Sequence, residues 1–64
     1  MKKLYLVCYF NEMESENDAD VTVLDDEENQ RNSFKVFFKK TYDYDIKDEH
    51  IVGIYPVSEL FDTN

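Results

Sequence analysis

Sixty-four residues make one small domain, 1–64, at a size where only about 60% of the unfolded chain's surface is buried on folding, and ten Phe and Tyr supply much of the core such a chain can build. Fifteen carboxylates against seven Lys and Arg give a net charge of −8, which excludes collecting phosphate backbones or anionic lipid and favours a protein partner with a basic surface. One cysteine, one histidine and one glycine exclude a disulfide framework, a zinc site and a phosphate-cradling loop.

The chain opens on Lys3 to Phe10, apolar on both alternating faces: Leu4, Leu6, Cys8 and Phe10 on one, Tyr5, Val7 and Tyr9 on the other. A strand that hides both faces sits in the middle of a sheet. The apolar run is too short for a membrane span and has no small-residue cleavage site, so it reads as a strand rather than a signal peptide, and a cytoplasmic protein is expected. Asn11 to Asp18 is polar and acidic and reads as a solvated loop, 11–18. In Ala19 to Leu24, Val21 and Val23 alternate with Asp20 and Thr22, the pattern of a half-buried strand joined to the first by a long hairpin.

From Asp25 the period becomes helical. Asp25 or Asp26 can cap a helix running to about Thr41, with Glu27 and Glu28 in its first turn and Lys39 and Lys40 near its end. At 100° per residue Phe34, Phe37, Phe38, Thr41 and Tyr42 share a stripe. Ile46 to Glu49 is a short connection. His50 to Val57 is a third strand, with Val52 and Ile54 on one face and Ile51 and Tyr55 on the other; Gly53 admits a close-packed phenylalanine or marks a bulge, and Pro56 places the strand at an edge. Residues 58–64 form a tail whose Leu60 and Phe61 are apolar enough to dock on something.

Strand, strand, helix, strand gives an α+β fold, a ββαβ unit with a three-stranded sheet in the order 2-1-3 and the helix on one face. One face of the sheet then stays apolar and open. The residues do not decide which face of the first strand the helix covers; with Tyr5, Val7 and Tyr9 outward, that trio is the expected self-association surface of a homodimer.

Motifs that carry chemistry are absent. Asp18, Asp20 and Thr22 alternate as in a calcium loop, but Val23 stands where glycine is needed and Asn29 where a bidentate glutamate is needed. Asp25 to Glu28 is explained by helix capping. Cys8 and His50 have no supporting ligands or base, Ser15, Ser33 and Ser58 lie in no nucleophile elbow, and neither a cofactor nor a metal is expected. In size and charge alone the chain resembles the small acidic cytosolic proteins of bacteria and their phages, and no motif transfers a residue role.

The reading is therefore a non-catalytic protein that acts by binding another protein, an inhibitor of a host factor if it belongs to a phage or mobile element. One alternative is a nucleic-acid mimic whose carboxylates fill a basic groove; another is a small-ligand or divalent-metal-binding protein. Aromatics interleaved with acid mark the expected partner surface: Tyr42, Asp43, Tyr44 and Asp45, followed by Asp48 and Glu49.

Overall fold

The central strand β1 (Lys2–Asn11) pairs antiparallel with β2 (Glu16–Asp25) on one side and with β3 (Ile51–Pro56) on the other, giving the expected order β2-β1-β3. Helix α1 (Gln30–Tyr42) crosses between the two outer strands, which therefore run parallel to each other, and one helical turn, α2 (Val57–Leu60), follows β3. This computed structural model describes residues 2–25 and 29–60, the side chain of Leu60 excepted. Among these residues no helix is long and apolar enough to cross a membrane.

The hairpin is tighter than the composition suggests. Instead of a loop over 11–18, the ladder runs from Lys2↔Asp25 to Asn11↔Glu16, leaving only residues 12–15 as the turn. Asn11 makes this possible: its Oδ1 accepts the backbone N–H groups of Met13 at 3.0 Å and Glu14 at 3.3 Å, and its Nδ2 donates to Asp18 Oδ2 at 2.9 Å across the strands. Ser15 closes the turn at φ 54°, a left-handed conformation reached without glycine. Glu16, Asn17 and Asp18 have poor strand propensity, but pairing with the apolar β1 overrides it.

Helix α1 starts later than its charge pattern implies. Asn29 is the N-cap, accepting from Arg31 N at 3.0 Å and Asn32 N at 3.3 Å. Asp25 instead ends β2. The alternative cap Asp26 and the acidic pair Glu27 and Glu28 lie outside the described residues. The helix stops at Asp43, which takes the left-handed position at φ 55° and returns its N–H to Lys39 O at 2.9 Å, a task glycine usually performs.

The core lies between α1 and one face of the sheet. Phe34 and Phe38 are fully buried there with Val7 and Leu24, surrounded by Tyr5, Tyr9, Ile46 and Ile51. Phe37 is only half-buried and Thr41, expected on the same stripe, is exposed. The Tyr9 ring stands 5.4 Å from Phe34 and 5.2 Å from Phe38, the latter edge-on, so the aromatics interlock rather than stack flat.

The helix thus covers Tyr5, Val7 and Tyr9. These three, expected as a self-association surface, are the inner face of the chain's own core and cannot be one. Among the described residues the other face, with the alternate set Leu4, Leu6, Cys8 and Phe10, is left open; Phe61 and the side chain of Leu60, expected to dock on something, lie outside the described residues.

The third strand differs from simple alternation for a definite reason. Cys8 pairs with Gly53 but Tyr9 pairs with Ile51, so Val52 is an extra residue, a bulge. One added residue lets Ile51 and Ile54, three apart, both turn to the core, while Tyr55 points to the open face. A Cβ on Gly53 would stand 2.7 Å from Tyr55 Cζ: the glycine admits the ring of its own strand neighbour Tyr55, not the expected phenylalanine.

Candidate functional site

Two surfaces stand out once the fold is laid down. The first is an acidic end, where the hairpin turn, the C-terminal end of α1 and the segment after it converge. Tyr42 donates its hydroxyl to Asp20 Oδ2 at 3.0 Å, and the same oxygen accepts the Tyr9 hydroxyl at 2.9 Å. The Tyr44 hydroxyl donates to Glu12 Oε1 in a short hydrogen bond, and Lys47 Nζ stands 4.0 Å from the other oxygen of that carboxylate. Phe38 is the hub beneath, with the rings of Tyr42 and Tyr44 4.6 and 6.4 Å away. The tyrosines therefore bridge an apolar base and an acidic rim.

Their titration follows from that position. Burial, with the hydrogen bond to Asp20 and its charge, raises the Tyr9 phenol well above the ordinary range. Burial and Asp20 raise Tyr42 in the same way, and the hydrogen bond to Glu12 raises Tyr44. Glu12 is lowered by the Tyr44 hydroxyl and by Lys47. Glu16 moves upward, because its carboxyl shares a hydrogen bond with Asp18 and feels that like charge.

The residues expected to bind a partner are placed unequally. Asp43 and Asp45 project, their side chains 96% and 86% exposed, with Lys39 Nζ 3.5 and 3.6 Å from them. Tyr42 is exposed at one edge. Tyr44, which has no packing role by its sequence position, is half-buried against the core. Asp48 is drawn to the first half of α1, where Arg31 Nε at 3.2 Å and Lys35 Nζ at 3.3 Å hold its carboxyl below the usual range. Arg31 Nη2 also donates to the carbonyls of Asp48 at 2.7 Å and Ile51 at 2.9 Å, so this group staples the helix to the start of β3. Glu49 is exposed in the same 3₁₀ turn, Asp48–His50. The site that emerges is Tyr42 to Asp45 joined to Glu12, Asp18 and Asp20, and those three carry no sequence signal of that junction.

The second surface is the open face of the sheet. Across it Val21, Leu6 and Tyr55 form one row and Ala19, Cys8 and Gly53 another, with Leu4 beside Val23. Leu4 and Tyr55 are each 45% exposed. Phe10 is capped by the His50 ring, 5.4 Å away and edge-on.

Among the described residues there is no enclosed cavity, and no three His, Cys, Asp or Glu side chains are grouped to hold a metal ion. Comparison with family models, with curated proteins and with solved structures finds no match to this chain.

Proposed function

We propose that this is a non-catalytic cytoplasmic protein that acts by binding another protein, one with a basic surface, at the acidic end. The observation that carries this reading is the pair of hydroxyl bonds, Tyr44 to Glu12 and Tyr42 to Asp20. They link segments 32 and 22 residues apart, so that aromatic rings and carboxylates form one patch. Aromatics seated among groups that exclude water are the usual anchors of protein interfaces, and a rim of like charge speeds encounter with the opposite charge. A protein without reaction chemistry has its effect by occupying such a surface, so inhibition of the partner is the natural outcome.

The exposed carboxylates of Asp43 and Asp45 also suit a groove built for phosphates, which keeps the nucleic-acid mimic as a second reading. A salt titration of the complex with a captured partner tests the main proposal: affinity should fall steeply as ionic strength rises. Affinity independent of salt would overturn it, and displacement by duplex or single-stranded nucleic acid would select the mimic.

A further inference from the structure

We infer that the open sheet face is closed by a second copy of this chain, the two sheets packing face to face with their helices outside. This rests on the sheet and is independent of the acidic end. The first support is the polarity of β2. Val21 and Val23, 58% and 52% exposed, point away from the helix, while Asp18, Asp20 and Thr22 lie on the helix side. Side chains alternate with period two, so the register that puts Leu24 under the helix turns both valines outward and the aspartates inward. The ladder runs unbroken over ten pairs with the valines outward. The outward side of this strand is therefore its apolar side.

The second support identifies the occupant. On the open face no side chain is charged from Leu4 to Phe10 on β1, from Asn17 to Val23 on β2, or at Gly53 and Tyr55, although 34% of the chain is charged. A basic partner would bring its cations onto a face that offers no carboxylate between Asn17 and Val23 to receive them, each leaving water unpaired. Two copies at −8 each repel along any acidic surface and meet best where charge is absent. An isologous contact needs a patch compatible with itself, and an uncharged apolar sheet is one.

Size is the third support. Three strands about 4.8 Å apart and about seven residues long at about 3.4 Å each give a face of about 350 Å² in projection. Side chains standing out from it bring the area buried by two copies to about 1,000 Å², the lower limit of specific interfaces. The dimer is therefore expected at micromolar concentration.

Sedimentation of the full chain over about 1 to 200 µM, at low and high salt, tests this. The expected result is a monomer–dimer equilibrium that tightens as salt rises, because screening removes repulsion between like-charged copies. Val21→Lys, at a position already exposed, should weaken the dimer at least about tenfold. Val36→Lys, on the outer face of α1 and 55% exposed, should leave it unchanged. Val23→Thr keeps the β-branched shape and should weaken it severalfold, so the test survives if the lysine variant does not fold. A monomer throughout the range, a dimer dissolved by salt, or a dimer indifferent to both Val21→Lys and Val23→Thr would overturn the inference.

Discussion

Tyr9 and Tyr42 donate to a single oxygen, Asp20 Oδ2, at 2.9 and 3.0 Å, so one carboxylate on the edge strand ties the central strand to the end of the helix. The two donors are not equivalent. Tyr9 is 3% exposed and Tyr42 is 42% exposed, so water replaces Asp20 far more readily for Tyr42 than for Tyr9.

Removing the acceptor should therefore cost more than removing either donor. Asp20→Ala leaves the buried Tyr9 hydroxyl without its partner and should destabilise by about 1–3 kcal/mol. Tyr9→Phe removes donor and need together and should cost about 1 kcal/mol, and Tyr42→Phe less again. Chemical denaturation of the three variants gives the order directly.

The aromatic stripe predicts a second order. Phe34→Ala and Phe38→Ala empty fully buried sites and should each cost about 3–5 kcal/mol, most of the stability of an ordinary domain. Phe37→Ala, half-buried, should cost clearly less. Thermal unfolding of the three, monitored by circular dichroism, checks the ranking; equal melting temperatures would place the core elsewhere.

Alkaline pH should unfold the protein in a way that reports these tyrosines. Tyr9, Tyr42 and Tyr44 are all raised above the ordinary phenol value of 10.0, so the folded state resists their ionisation more than the unfolded state does. The stability linked to this is fully present below pH 10.0 and is lost as pH rises from there through the higher folded values. Melting temperatures followed upward from pH 9 should fall beyond pH 10.0, and fall less steeply in Tyr9→Phe.

The order of the strands and the helix between them were legible because β1 is apolar on both faces and the phenylalanines recur at helical spacing. Which face of β1 the helix would take was not legible, since Tyr5, Val7 and Tyr9 are as apolar as their alternates. The choice follows from β2: its register puts Leu24 under the helix, and Val21 and Val23 then have to face out. The bulge at Val52 left only the glycine beside it as a trace, and one added residue reversed half the strand. At the acidic end, Tyr42, Asp43 and Asp45 stand out by their interleaving. Their junction with Glu12 and Asp20 is a product of topology, because hairpin turn and helix end are brought together only by the crossover. Asp48 shows the opposite outcome, a charged position taken up by Arg31 and Lys35, while Tyr44 packs its ring against the core and keeps only its hydroxyl on the patch.

Capture of the partner by a charge-reversed acidic end decides whether the partner docks there. Glu14→Lys, Asp43→Lys and Asp45→Lys combined alter three exposed side chains and leave the Tyr9, Tyr42 and Tyr44 hydrogen bonds in place. With the fold confirmed by circular dichroism, this variant should lose a partner the unaltered chain holds, while Val36→Lys retains it. Undiminished binding by the folded triple variant would place the interface away from this end and rule out the acidic end as the docking surface.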